Sequence, residues 1–121
     1  MEVCASVPTA EFQNVFDGSH STALVAFQTA SRVVVNFSKL VGTPQTFRWF
    51  QVAVPAGNAE VRLRNITDGT TLGILVVVAA GLQSFVVTPP GLGGVKLVYL
   101  QHRRVAGAGT SEIEGGTLEA G

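Results

Sequence analysis

Period-two alternation in short segments constrains this chain more than any other feature. Glu60–Ile66 reads EVRLRNI. In an extended backbone Val61 and Leu63 fall on one side and Arg62 and Arg64 on the other, which is the pattern of a strand with one face in a core and one in water. Thr46–Val54, TFRWFQVAV, does the same: Phe47, Trp49 and Gln51 share one face, and Arg48, Phe50 and Val52 the other. Apolar residues almost nowhere recur at the spacing of an amphipathic helix. Instead, β-branched and aromatic runs are punctuated by Gly, Pro, Asn and Asp.

On this basis strands are expected at Thr22–Gln28, Arg32–Phe37, Thr46–Val54, Glu60–Ile66, Leu72–Val78, Ser84–Thr88, Val95–Arg103 and Thr117–Glu119. Leu72–Val78 is uniformly apolar, as in a strand covered on both faces; Gly73, the β-branched content and the short length argue against a helix there. Thr67-Asp68-Gly69-Thr70 is a turn, with Gly69 supplying a positive φ. Eight short strands with turns between them lead to an all-β chain, an eight-stranded jelly-roll-like β-sandwich over residues 21–121. Residues 1–20 lack alternation and are expected to form an extended N-terminal arm. In that arm Phe12, Val15 and Phe16 are the expected anchors on a partner.

Composition narrows the function. The chain has 121 residues, with 8 Lys+Arg against 8 Asp+Glu and only 13% charged residues. Soluble domains typically carry about 25%, so a charge-poor surface suited to assembly is indicated. A net charge of zero argues against nucleic acid as the main partner, because that role needs a net basic surface. High apolar content excludes a disordered chain. Cys4 is the single cysteine, so no disulfide forms within the chain. The longest apolar stretch, Leu72–Leu82, is shorter than the roughly 20 residues of a spanning helix, and no membrane role is expected. The segment MEVCASVPTAEF lacks the basic start of a secretory signal. Synthesis in a reducing cytoplasm is expected.

No catalytic, metal or cofactor residues are expected. Cys4 lacks any local signature of activation, and His20 and His102 lack metal-ligand spacing. His102, beside Arg103 and Arg104, reads as an exposed polar residue. Glu112 and Glu114 share a strand face, a common surface pattern and only rarely a glycosidase pair. Asp17 and Asp68 precede glycines in ordinary turns, without a calcium-loop pattern. Gly91–Gly94 leads into a strand, whereas a phosphate-cradling loop leads into a helix. The sequons at Asn36 and Asn65 are chance matches without a signal. The aromatics Phe47, Trp49, Phe50 and Tyr99 lie on opposite strand faces and read as core before they read as a sugar platform. Arg32, Arg48, Arg62, Arg64 and Lys96 read as a solvated sheet face before they read as a polyanion stripe. Glu2, Glu11, Glu112, Glu114 and Glu119 gather toward the two ends of the chain, so acidic ends and a basic middle suit contacts between copies.

The stretch Ala59–Val78, AEVRLRNITDGTTLGILVVV, followed by Gly94–Gln101, GVKLVYLQ, resembles small β-sandwich structural proteins of tailed bacteriophages. The likeness is carried by Arg62, Leu63, Asn65, Thr67, Asp68, Gly69 and Thr70, of which Asn65, Asp68 and Gly69 form the turn motif. It implies a jelly roll with a non-enzymatic role, that of a capsid decoration (cement) protein on the outer surface of the virion, bound to the major capsid protein. Homo-oligomers are expected, trimers being common around symmetry axes. The alternative is a tail-fibre, appendage or carbohydrate-binding module.

Overall fold

In the computed structural model, residues 11–40, 42–91 and 93–120 are described, apart from the side chains of Glu11 and Phe12. Eight strands follow one another: β1 (Glu11–Thr22), β2 (Gln28–Asn36), β3 (Gln45–Ala53), β4 (Ala59–Asn65), β5 (Thr70–Val77), β6 (Gly81–Val87), β7 (Val95–Arg104) and β8 (Ser111–Ala120). A 3₁₀ turn, Phe37–Lys39, follows β2, with the Ser38 N–H donating to the Asn36 side-chain oxygen (3.0 Å). The strands form two antiparallel four-stranded sheets, ordered β1-β8-β3-β6 and β2-β7-β4-β5. Every sequence-adjacent pair except β4–β5 therefore lies in different sheets, which is the winding of a jelly roll.

Alternation builds the core. In β3 the residues at alternate positions are buried, with Phe47 0% and Trp49 2% exposed. In β4 Ala59, Val61, Leu63 and Asn65 are all buried, while Glu60, Arg62 and Arg64 are half-exposed. Phe47, Trp49 and Phe85 form an aromatic cluster with centroids 5.4 to 5.5 Å apart. Around it pack Val35, Val98, Leu100, Ile113 and Leu118.

The expected strands from Thr46 onward are found, with shifted ends; the last is longer than Thr117–Glu119 and runs from Ser111. Three expectations are corrected. Thr22–Gln28 is mostly a loop, because Leu24 and Val25 are more than half exposed and find no inner face. Leu72–Val78 forms an edge strand with one face open: Ile74 is 46% and Val76 49% exposed. The third concerns the arm. Residues 1–10 lie outside the described residues, but Glu11–Thr22 are β1, paired along its length with β8. Two register shifts, between Asn14 and Phe16 and between Phe16 and Ser19, break the alternation of β1. That irregularity hides a strand from a period-two reading.

The ends of the sandwich are tied by turns. Asn65 accepts from the Asp68 N–H (3.2 Å) and donates to its carboxylate (2.9 Å), and Gly69 has φ +71. The NITDGT turn thus closes on its own side chains, and the motif acts as turn chemistry. At the opposite end the β3–β4 loop is stitched to the β7–β8 loop: Gly57 N–H donates to Ala106 O (3.1 Å) and Val105 N–H to Asn58 O (2.9 Å). Gly107 sits in this seam with φ +74, and a Cβ there would lie 2.5 Å from the Gly57 nitrogen. Gly107→Ala is therefore expected to destabilise by well over about 1 kcal/mol, read as a lower urea midpoint with unchanged slope. A midpoint equal to wild type would contradict this close approach.

Candidate interaction surfaces and the buried polar relay

The sandwich brings together side chains that the sequence holds far apart. His102, on β7, is 0% exposed, which corrects the expectation of an exposed residue: it shares the inward parity of Val98 and Leu100. Its Nε2 lies 2.7 Å from His20 Nδ1, and its Nδ1 lies 2.8 Å from Ser111 Oγ. Gln51 donates through Nε2 to Ser111 Oγ (3.0 Å) and to the Ala53 carbonyl (2.9 Å), and its Oε1 accepts from the Trp49 indole (2.9 Å). One proton arrangement satisfies every group. Trp49 donates to Gln51, Gln51 to Ser111, Ser111 to His102, and His102 to His20. We assign these tautomers from the bonding pattern. The relay joins the β1-β8-β3-β6 sheet to His102 of the other sheet. Burial, reinforced by the neighbouring His20, lowers the His102 pKa from 6.5 to about 4, so His102 is neutral at pH 7.

Ser111 beside a histidine invites comparison with a nucleophile and its base. Ser111 is 0% exposed, and a hydroxyl sealed in the core is closed to substrate. Among the described residues no group of three or more His, Cys, Asp or Glu is placed to hold a metal ion. A shallow cavity of about 400 Å³ opens beside the NITDGT turn, lined by Asp68, Thr71, Thr88, Pro90 and Lys96 among others. Its charged groups satisfy each other: Lys96 Nζ lies 2.9 Å from Asp68 Oδ2. The Lys96 hydrogen bond is the largest cause holding the Asp68 carboxyl below its usual pKa. The sugar-platform candidates separate as well. Trp49 is core, and Tyr99 is covered by the Arg32 guanidinium, 5.1 Å from its ring centroid.

The outer faces carry the remaining chemistry. On the β2-β7-β4-β5 sheet, Arg32 and Arg64 flank Tyr99 in the cross-strand register, and Arg62 lies opposite Gln101. Phe27 packs under two guanidinia, at 3.8 Å from Arg62 and 4.9 Å from Arg103. Glu60 binds Arg103 at 2.7 Å and is the carboxylate of that face among the described residues. At one edge of this basic field Ile74 and Val76 of β5 lie beside Arg62 and Glu60, and Val34 of β2 stands at the other edge, all three 46 to 57% exposed. On the opposite sheet Glu112, Glu114 and Glu119 of β8 face outward, with Arg48 paired to Glu119 at 3.2 Å. Next to them lie Phe50, Leu82 and Val86, 46 to 70% exposed. The carboxylates of β8 and the arginines of β2 and β4 thus lie on opposite faces, each bordered by exposed apolar residues, while Glu2 and the Glu11 side chain lie outside the described residues. The five basic residues do not form one stripe: Arg32, Arg62 and Arg64 share a face, Arg48 is on the other sheet, and Lys96 is at the sandwich end.

Of the expected arm anchors, Val15 is 4% exposed and belongs to the core of its own sandwich. Phe16 packs against that core. The Phe12 side chain lies outside the described residues. Sequence reading missed the His20–His102 contact and the split of charge between faces. The only available signals were residue parity in β7 and β8.

No protein-family model matches the chain, and no curated protein matches it. Solved structures do. The VP2 subviral particle of infectious bursal disease virus aligns with a TM-score of 0.52 at 14% identity, over 98% of this chain and 34% of that chain. The same virus's Gx strain aligns at 0.49 and 13%, over 96% and 34%. The virus-like particle of the extra small virus of the prawn Macrobrachium rosenbergii aligns at 0.30 and 11%, over 98% and 84%. This chain spans about a third of the VP2 chain, 34%. The likeness to VP2 shows the fold alone: this chain is a jelly-roll β-sandwich.

Proposed function

We propose that this chain is a structural, non-enzymatic component of a virus particle. More specifically, it decorates and cements the outer surface of a phage head by bridging major capsid protein subunits. The observation that carries this reading is the pair of outer sheet faces, which leave Phe50, Leu82, Val86, Ile74 and Val76 in solvent. Apolar stripes of this extent on a small domain mark contact surfaces, and the likeness to VP2 supports placing the contact in a particle. The edge strands β5 and β6 lie on the same side of the sandwich and add unpaired main-chain groups to what a neighbour can bind. Residues 1–10 are proposed to take the role first expected of residues 1–20, since β1 is committed to β8.

The test compares particles with and without the protein under heat and osmotic shock. Particles lacking it are expected to rupture earlier, and purified protein is expected to restore them. Deleting residues 1–10, which leaves β1 whole, is expected to weaken particle binding while the melting temperature stays. Equal resistance with and without the protein would overturn cementing.

A further inference from the structure

We infer that this chain associates with a second copy of itself head to tail, the outer face of β1-β8-β3-β6 of one copy seating on the outer face of β2-β7-β4-β5 of the next. The inference names a partner for the faces on which the proposed function rests. Its first support is charge. One face presents Glu112 and Glu114 on β8 beside Phe50 on β3, with Leu82 on β6 next to it; the other presents Arg32 on edge strand β2 and Arg64 on β4, with Ile74 and Val76 on β5 next to β4. Like faces brought together would set carboxylate on carboxylate or guanidinium on guanidinium, which disfavours a two-fold dimer through either face. Opposite faces set each charge against its complement and each apolar stripe against the other. Contact between two different patches is heterologous, so it closes into a ring or continues as a filament.

The second support is what occupies the basic face in the isolated chain. The Arg62 and Arg103 guanidinia lie over Phe27, and Arg32 lies over Tyr99. These contacts hold the guanidinia against aromatic rings of their own face, so less side-chain freedom is lost when a second copy seats on it. The third is area. Four strands about 4.8 Å apart and about nine residues long project to about 570 Å², less than the roughly 800 Å² per partner of a standard interface. A single contact is therefore weak, and stable assembly requires closure or support from a particle.

The test is sedimentation of the full chain from micromolar to millimolar concentration. Wild type is expected to grow in mean mass with concentration, less so in near-molar salt. Two charge reversals separate the faces: E112K with E114K, and R32E with R64E. Each alone is expected to need at least about tenfold more protein for half association, with its melting curve near wild type. Mixed together they are expected to regain association, because the reversed face of one variant meets the reversed face of the other with its charges again opposed. Wild type that stays monomeric at millimolar concentration overturns the inference, as does a mixture no better than its parts. A third result also overturns it: binding of a single-stranded oligonucleotide at physiological salt, abolished by R32E with R64E, without self-association. Self-association by a protein that leaves particles unchanged would sink the cement reading and leave this one standing.

Discussion

Replacing Trp49 with alanine is expected to cost about 3–5 kcal/mol, against a total of about 5–15 kcal/mol for a typical domain. Trp49 is 2% exposed, packed against Phe47 and Phe85, and donates to Gln51. Its removal opens a cavity between the sheets and leaves Gln51 Oε1 without its donor. Trp49→Phe separates the two losses: most of the ring remains, and the expected cost is the roughly 1–3 kcal/mol of a buried acceptor left unpaired. Phe50→Ala is the control from the opposite face of the same strand. Phe50 is 46% exposed, and its loss is expected to move stability by about 0.5 kcal/mol or less. Urea unfolding at constant slope reads all three. Equal midpoints for Trp49→Ala and Phe50→Ala would mean that β3 does not turn this face inward.

The second large effect is on pH. The ordinary His pKa of 6.5 falls to about 4 in the folded chain, first because His102 is buried and then because His20 lies beside it. Between those two values the unfolded chain takes up a proton that the folded chain refuses. Stability is therefore full above about pH 6.5 and declines as pH falls toward 4, by about 3 kcal/mol from this group. His102→Gln removes the titration: it is expected to be less stable at pH 7 but to lose less between pH 7 and pH 4.5. Parallel stability–pH curves for the two proteins would show that His102 is not the group responsible. The relay gives the slope a structural reading. A second proton on His102 would oblige Nδ1 to donate to Ser111 and turn the hydroxyl away from it, breaking the one-way order that runs from Trp49 to His20.

Particular elements show how far the residues alone could be read. β3 and β4 were legible because their burial alternates without interruption over Gln45–Ala53 and Ala59–Asn65. The NITDGT turn was legible because Asn, Asp and Gly each have a local reason to be there. β1 was not, because its register slips twice against β8 and the slips move side chains between faces. β5 was identified as a strand but given the wrong surroundings: its apolar run has the composition of a central strand, whereas the topology leaves it at an edge.

The sequence by itself determined the class of fold, most strand positions and the inward or outward sense of side chains within a strand. All of these depend on neighbours along the chain, through the two-residue repeat of an extended backbone. The tertiary structure decided which strands lie side by side, and with that everything depending on distant residues. It brought His20 and His102, 82 positions apart, to 2.7 Å, and put the carboxylates of β8 and the arginines of β2 and β4 on opposite outer faces. Strand order is chosen by burial summed over the whole core, a quantity no single segment contains.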